Sequence, residues 1–300
     1  MNPVLKHLAE GVLVRSGVER LARRTRRGRT LVLGYHNVLP HGEPISGDKN
    51  LHLPQKDFSL QLDVIAQTHD VVPIESIGRD SPLTTRPRVV ITFDDAYMGA
   101  LTGGVEELTK RGMPATVFVA PALIDSVSWW DTLAERANGT VSGDTRRQAL
   151  ETLGGNADAV VRWASSTFAT PGSSRSLPRI GTMTQLARAA AQPGITLGSH
   201  SWSHPNLCAL SEADLEAELS RSDQWLRSRF SCVVPWLSYP YGLYNESVKR
   251  AAAAARYLGA LRIDGGWLEP SLSLPSYAVP RLNIPSGLSL DGFRLRLAGF

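Results

Sequence analysis

Val89-Val90-Ile91-Thr92-Phe93-Asp94-Asp95 reads as a buried β-strand that ends in two adjacent carboxylates. Side chains alternate between the two faces of a strand, so neighbouring carboxylates can serve one site only where the strand ends and turns. In α/β barrels the C-terminal ends of the strands carry the active site. Two crowded carboxylates also repel each other unless a cation lies between or beside them. The alternative interpretation is a helix N-cap followed by an acidic first turn.

Short apolar runs recur on both sides of this stretch and alternate with segments of helical periodicity, as β/α units do. They predict strands at Thr30–His36, Asp70–Ile74, Arg88–Phe93, Ala115–Ala120, Gly194–Ser199, Val233–Tyr239, Tyr257–Arg262 and Tyr277–Asn283. Helices are predicted after Asp95 and from Ser211 onwards. Residues 122–182 interrupt the alternation. We expect them to form an insertion with two short helices in a single domain of residues 30–300.

The basic character of the chain is concentrated at its start. The net charge is +4 at pH 7, but residues 1–29 hold eight Lys/Arg against Glu10 and Glu19, a net charge of +6. The rest of the chain has 24 basic and 26 acidic residues, a net charge of −2. The apolar residues of this segment stand near helical spacing, which predicts an amphipathic helix. It either contacts an anionic membrane surface peripherally or packs on the barrel with a solvated Arg-rich turn.

Several partner classes are disfavoured by the sequence. Charges interrupt the apolar part of residues 1–29 and follow it, unlike in a signal peptide, and no apolar run is long enough for a transmembrane helix. The basic run has no interleaved aromatic residues, which argues against nucleic-acid binding. We therefore expect a cytoplasmic protein, either free or peripheral to the inner membrane face. The oligomeric state stays unknown at this stage.

A second motif, Gly198-Ser199-His200-Ser201-Trp202-Ser203-His204-Pro205, follows another predicted strand. Two histidines four positions apart can reach one metal ion. Pro205 disfavours helical backbone at His204, so the pair is expected in a turn or loop. On its own the pair is equally consistent with two loop histidines. Combined with a carboxylate from the Asp-Asp strand end, it makes a facial metal site with open positions.

A third motif, Leu237-Ser238-Tyr239-Pro240-Tyr241-Gly242, also follows an apolar strand. Proline fixes the turn and glycine permits close backbone approach, so the backbone N–H of Tyr241 can point at an oxyanion. The same residues also make an ordinary turn. The three motifs in this order resemble the polysaccharide deacetylase family, the NodB-homology group of carbohydrate esterases, and Gly34-Tyr35-His36 and Trp129-Trp130-Asp131 extend the resemblance.

The resemblance implies an α/β fold, a distorted (β/α) barrel with fewer than eight full repeats. It implies a hydrolase that removes an N-acetyl group from a sugar in a polysaccharide, oligosaccharide or glycan precursor. Asp95, His200 and His204 would hold a divalent metal, with Zn²⁺ expected. Asp94 would be the general base, and the Tyr241 N–H would stabilise the oxyanion.

The sequence departs from the family pattern at two positions. Many members have an Arg before the Pro-Tyr strand end and a late His as general acid, but Ser238 stands at the Arg position and no histidine follows His204. A departing amine needs an acid. The candidate is His36, as in the biofilm poly-N-acetylglucosamine deacetylases, unless it only caps its strand. Arg281 is the candidate partner of Asp94, with a surface arginine as the alternative.

Other residues carry weaker expectations. His41, His52 and His69 are expected in loops or at the surface, and Asp131 is a candidate substrate contact. Stacking on sugar rings, or an ordinary core or rim position, is open for Trp129, Trp130, Trp202 and Trp267. Two functions compete with deacetylation: carbohydrate binding on a degenerate, non-catalytic scaffold, and hydrolysis of a small amide by a related amidase.

Overall fold

The computed structural model describes residues 3–79, 86–168, 176–268 and 272–300. Its strands are β1 (Thr30–Tyr35), β2 (Asn37–Leu39), β3 (His52–Pro54), β4 (Asp70–Val71), β5 (Arg88–Phe93), β6 (Ala115–Val119), β7 (Ile195–Ser199), β8 (Val233–Ser238), β9 (Gly259–Leu261), β10 (Ser276–Val279) and β11 (Leu282–Asn283). Its helices are α1 (Pro3–Arg15), α2 (Val18–Arg24), α3 (Gln55–Thr68), α4 (Val105–Lys110), α5 (Trp129–Arg136), α6 (Gly143–Arg147), α7 (Ala157–Thr167), α8 (Met183–Ala190), α9 (Glu212–Arg227), α10 (Glu246–Ala254) and α11 (Leu290–Ala298).

One parallel sheet organises the molecule. Its strands follow the order β10-β9-β8-β7-β6-β5-β1-β11, and β4 pairs with the start of β5. The sheet curls into a half-barrel surrounded by helices, so the predicted distorted (β/α) barrel is confirmed. Strands β10 and β11 pair with opposite ends of the sheet, and only Pro280-Arg281 separates them in the chain. This connection carries Arg281 across the open side of the barrel.

Burial on both faces explains the unbroken apolar runs of the central strands. Along β5, Val90 packs in the cluster with Phe118 and Trp236, whereas Val89 and Ile91 belong to the larger core that also includes residues of the surrounding helices. Thr92 and Asp94 follow Val90 at two-residue spacing, so they continue its face towards the end of the strand. Asp94 therefore arrives at the carboxyl end of the barrel on its inner side.

Most predicted strands match the structure to within one or two residues at each end, but two predictions were wrong. Asp70–Ile74 is a strand only at its first two residues, because Pro73 has no N–H to continue the pairing with β5 and a helical turn begins at Ile74. Tyr277–Asn283 is not one strand. Pro280 has no N–H to donate, and the chain changes its pairing partner from β9 to β1 at this point. The short parallel pair of β2 and β3 was not predicted.

The segment of residues 122–182 contains more helix than expected. In the described part of this segment, residues 122–168 and 176–182, three helices, α5, α6 and α7, precede α8, where two short ones were predicted. Trp129 and Leu133 of α5 pack against Val160 and Ala164 of α7 in a separate small core. At the other end of the chain, α1 and α2 pack on α11. Among the described helices, none is both long and apolar enough to cross a membrane.

Candidate active site

The three sequence motifs meet at the carboxyl edge of the sheet. Asp94 and Asp95 follow β5, His200 follows β7, and Tyr241 lies in a helical turn after β8. With His36, which follows β1, and His204, they line one pocket of about 290 Å³. All the predicted site residues except Arg281 thus face the same cavity, and Arg281 lies beneath it.

Several of these residues have left-handed backbone conformation, which side chains other than glycine rarely adopt. The φ angle is 67° at Asp95, 59° at His204 and 57° at Tyr241. His204 therefore lies in a loop, as Pro205 predicted, and not within a helix. Such strain persists only where the surrounding structure holds it, and it is concentrated at functional sites.

Asp95, His200 and His204 form a compact triangle of ligand atoms. The two Nε2 atoms are 3.1 Å apart. Asp95 Oδ1 lies 3.5 Å from His200 Nε2 and 3.3 Å from His204 Nε2. A tetrahedral ion with bonds of about 2.0–2.1 Å separates its ligands by about 3.3 Å, so the spacing suits a zinc-like cation.

Hydrogen bonds on the far side of each imidazole fix its orientation. His200 Nδ1 lies 2.7 Å from the Ser238 carbonyl, which can only accept. The Tyr241 hydroxyl donates to the His204 carbonyl at 3.0 Å, so it accepts from His204 Nδ1 at 3.0 Å. Both rings thus carry their proton on Nδ1, and two Nε2 lone pairs face each other. That arrangement is repulsive unless a cation lies between them.

The pKa shifts of the three residues of the triangle also favour a bound cation. Burial lowers the pKa of His200, and it lowers the pKa of His204 to about 4, so both rings are neutral at pH 7. Burial raises the pKa of Asp95, against the opposing effect of His200. Asp95 Oδ1 is buried and has no hydrogen-bond partner among the described residues. A divalent cation would satisfy this oxygen and both nitrogens, so the residues fit a metal.

Asp94 is kept out of the triangle by Arg281. Arg281 Nη1 donates to Asp94 Oδ1 at 2.7 Å and Nη2 donates to Oδ2 at 2.6 Å. Burial alone would raise the pKa of Asp94, but the charge and hydrogen bonds of Arg281, with His200, outweigh it and hold the pKa well below its usual range. Oδ2 still lies 3.8 Å from His200 Nε2. Asp94 is therefore an ionised carboxylate beside the triangle.

Arg281 is buried in a space that the neighbouring residues leave for its side chain. Its side chain is 1% exposed, which excludes the alternative of a surface arginine. Gly34 of β1 makes room for it, because a Cβ there would lie 3.0 Å from Arg281 Nε. Ser238, at the position where many relatives of the resembled family have arginine, donates to Asp94 Oδ2 at 3.2 Å. Arg281 and Ser238 therefore both contact Asp94.

His36 lies at the pocket wall. Its ring makes no hydrogen bond to the described part of the chain, and it lies within electrostatic range of both carboxylates. Burial lowers its pKa, Asp94 and Asp95 raise it, and Arg281 and His200 lower it further, with a net lowering. At neutral pH the free side chain is therefore an uncharged imidazole beside the triangle.

One wall of the pocket comes from the insertion. Trp130 and Arg146 line it, and the Arg146 guanidinium lies 5.4 Å from the Trp130 ring centroid. Arg146 Nη2 also donates to the Tyr241 carbonyl at 3.1 Å. Asp48 also lines the pocket and accepts from Trp130 Nε1 at 2.7 Å. An aromatic face flanked by charged groups suits a polar ring such as a sugar.

Asp131 does not contact the cavity, contrary to expectation. It is fully buried and accepts from the Tyr97 hydroxyl at 2.7 Å, His52 Nε2 at 2.8 Å and the Asp48 N–H at 2.9 Å. Its role is to fix the loop that carries Asp48. His41, His52 and His69 were expected in loops or at the surface. This was wrong for His52, which is buried in β3, whereas His41 is exposed and His69, although buried, lies in the connection between α3 and β4.

Of the four tryptophans considered for sugar stacking, only Trp130 lines the pocket. Trp129 is buried in the small core of the insertion. Trp202 is covered by the Arg221 guanidinium, 3.7 Å from its ring centroid. Trp267 packs on His69. These three are structural, as an ordinary core or rim position implies.

Comparisons with known proteins agree with this site. A family model described as polysaccharide deacetylase matches residues 82–260. YxkH of Bacillus subtilis (strain 168), whose name also refers to that family, is 23% identical over 270 residues, which cover 87% of this chain and 74% of YxkH.

Solved structures share the fold at low sequence identity. Streptococcus pyogenes deacetylase PplD, in complex with acetate, superimposes with a TM-score of 0.60 at 19% identity, covering 90% of this chain and 98% of PplD. IcaB from Ammonifex degensii gives a TM-score of 0.62 at 16% identity, covering 91% of this chain and 97% of IcaB. The likeness therefore extends over nearly the whole length of these proteins.

Proposed function

Because this chain belongs to the polysaccharide deacetylase family, we propose that it removes an N-acetyl group from a sugar in a polysaccharide, oligosaccharide or glycan precursor. The observation that carries the proposal is the Asp95–His200–His204 triangle with the ionised Asp94 beside it. Hydrolysis of an amide needs an activated water, a base and an acid, and each has a candidate here.

The proposed metal ligands are Asp95, His200 and His204, and Zn²⁺ is the proposed ion. A metal bound there would lower the pKa of a coordinated water to about 7 and polarise the acetyl carbonyl. The chain offers no thiol ligand in the triangle, so the site is a carboxylate and imidazole one.

Asp94 is the proposed general base. Arg281 keeps it ionised and holds both of its oxygens, so its remaining lone pairs can accept a proton from the attacking water. The N–H of Tyr241, in the turn after Pro240, is the proposed donor to the carbonyl oxygen as it becomes negative. His36, at the pocket wall, is the proposed acid: its uncharged ring would first take up a proton and then, as imidazolium, pass it to the sugar nitrogen when the C–N bond breaks. The products are acetate and a free amine.

The proposed sugar platform is Trp130, with Arg146 and Asp48 contacting ring hydroxyls. A cavity of about 290 Å³ is near the lower limit of small-molecule sites and suits one sugar ring with its acetyl group. PplD was solved with acetate, which is the acid that this reaction would release.

The test is acetate release from a panel of N-acetylated saccharides, with Zn²⁺ and with a chelator. We expect activity with Zn²⁺ and none with chelator. Asp94→Asn should reduce turnover by about 10²–10⁴ while bound metal is nearly unchanged. His200→Ala should remove both metal and activity, because one side of the triangle is lost.

Other outcomes would point to the competing functions. Saccharide binding without acetate release, with Zn²⁺ restored, would indicate a non-catalytic binding protein. Hydrolysis of small linear or cyclic amides in preference to saccharides would indicate an amidase. Full activity of Asp94→Asn would disprove the assigned base.

A further inference from the structure

A strongly basic crevice lies far from the catalytic pocket. Its volume is about 190 Å³, and five arginine side chains line it together with Thr68 and Pro87. These arginines, called here the arginine crevice, are Arg20, Arg23, Arg24, Arg27 and Arg86. Four of them come from α2 and the turn that follows it, so the N-terminal segment brings most of this charge to one place.

Only part of this charge is neutralised within the protein. Arg23 pairs with Glu19 at 3.0 Å, and Arg86 Nε lies 3.5 Å from Asp70. Across the described ranges, Arg24 and Arg27 make no ion pair. Five guanidinium groups around one crevice repel each other, and that repulsion is relieved by a bound anion.

The same two helices expose a row of apolar side chains. Leu5, Leu8 and Val12 stand at i, i+3 and i+7 on α1 and are 60%, 63% and 64% exposed, and Leu21 of α2 is 63% exposed. Single exposed apolar residues are ordinary, but several on one helix face mark an interaction surface.

Packing on the protein body does not use this row. Helix α1 approaches α11 through Glu10, which accepts from Ser289 Oγ at 2.6 Å, and through Gly11, where a Cβ would lie 3.5 Å from Asp291. Helix α1 therefore keeps its apolar residues outward while a different face holds it to the body. The two sequence interpretations, packing on the barrel and contact with a membrane, are compatible in this structure.

We propose that residues 3–29 bind the surface of an anionic lipid bilayer. The leucine and valine side chains enter the headgroup region, and the arginine crevice binds lipid phosphates. Apolar area and basic charge on one amphipathic segment are the two contributions that hold such segments at a membrane. A nucleic acid would use the arginines but would leave the apolar row exposed, and residues 3–29 contain no Phe, Tyr or Trp on which a base could stack.

The position of the arginine crevice sets the orientation of the bound protein. Thr68 ends α3 just before β4, and Pro87 directly precedes β5, so the crevice lies at the amino ends of these strands. The catalytic pocket lies at the carboxyl ends of the sheet strands, about 20 Å away along the six-residue strand β5. The docked enzyme thus presents its pocket to solution, where it would meet a glycan extending away from the bilayer.

The experiment uses the full chain and sedimentation with vesicles. One set is phosphatidylcholine with about one third phosphatidylglycerol, and the other is phosphatidylcholine alone. We expect binding to the anionic vesicles, weakened by salt, and at least about tenfold weaker binding for Arg24→Glu/Arg27→Glu. We expect at least about tenfold weaker binding for Leu8→Ser/Leu21→Ser as well.

Matched controls change the same residue types elsewhere on the surface. Arg188→Glu/Arg250→Glu makes the same charge change, and Leu258→Ser removes a leucine that is 46% exposed. Both controls should bind like the wild type. Vesicle-bound protein should also keep its activity on a soluble substrate, because the pocket faces away.

Three results would overturn the proposal. The first is equal binding to both vesicle types, or binding to neither. The second is loss of binding in the arginine variant but not in the leucine variant, which would indicate a purely ionic site for a soluble polyanion. The third is an equal loss in the surface controls, which would indicate a nonspecific charge effect.

Discussion

Arg281 and Asp94 form a two-point ion pair in the interior of the barrel, although 187 positions separate them in the sequence. Both side chains are almost completely buried. A buried pair is tolerated only when its geometry is good and the remaining polar atoms are satisfied. Here Thr92 Oγ1 accepts from Arg281 and Ser238 donates to Asp94, whereas Arg281 Nε has no partner among the described residues.

Removing the Arg281 guanidinium should lower the free energy of unfolding and change the pH dependence of kcat/KM. In Arg281→Met the Asp94 carboxylate stays buried without its partner, and we expect the free energy of unfolding at pH 7 to fall by about 3–5 kcal/mol. Burial then raises the pKa of Asp94, so the acidic limb of kcat/KM should move to higher pH. Denaturant unfolding and a pH–rate profile measure the two effects.

The sign of the pH effect follows from linkage. The folded-state pKa of Asp94 lies below its unfolded value of about 3.9, so the pair contributes its full stability above that pH and loses it as the pH falls further. The loss of unfolding free energy in Arg281→Met, relative to the wild type, should therefore be largest at neutral pH and become smaller in acid. Arg281→Lys keeps the charge and should lose less. A deficit that does not change with pH would contradict this account.

Tyr241 should control metal affinity through its hydroxyl. Tyr241→Phe removes the group that contacts both the carbonyl and Nδ1 of His204, so the ring is no longer held in one orientation. We expect metal affinity to fall about 10–100-fold, as measured by competition with a chromophoric chelator. Tyr244→Phe is the control, because Tyr244 stacks on Tyr239 and does not line the pocket. Equal affinities for the two variants would rule out this role.

Asp131 should be a structural residue and not a metal or substrate ligand. Asp131→Ala leaves three buried donors, from His52, Tyr97 and Asp48, without an acceptor, and we expect a loss of about 3–5 kcal/mol in the free energy of unfolding. KM should rise because the Asp48 loop is released, and bound metal should stay near wild type. Asp144→Ala, at an exposed side chain, is the control and should change neither stability nor KM.

The parts of the site that could be predicted from the sequence are those marked by a local pattern of neighbouring residues. The Asp94-Asp95 and His200–His204 motifs could be assigned because a buried strand ends beside each, and parallel strands bring their carboxyl ends to one edge. Arg281 was predicted on the same ground, from its place near a strand end. These predictions needed only the local sequence patterns and the rule that the carboxyl ends of parallel strands meet at one edge of the sheet.

Contacts across long sequence separations could not be predicted. The bond between His52 and Asp131 joins residues 79 positions apart, and neither residue has a local signal that distinguishes it from a surface one. The Tyr241 hydroxyl contacts His204, and both residues have left-handed backbone, which no propensity indicates. The separation of β10 from β11 follows from pairing with two distant strands.

The role of His36 can be isolated by changing the leaving group. A sugar amine needs a proton to depart, whereas the phenolate of an activated aryl acetate does not. We therefore expect His36→Gln to reduce acetate release from an N-acetylated sugar by about 10²–10⁴, and to leave hydrolysis of 4-nitrophenyl acetate nearly unchanged. Asp94→Asn should slow both reactions, because the attacking water is the same in each. His41→Gln, at an exposed position, is the matched control. Equal losses of activity on the two substrates in His36→Gln would show that His36 binds substrate or supports the site structurally. Another group would then be the proton donor.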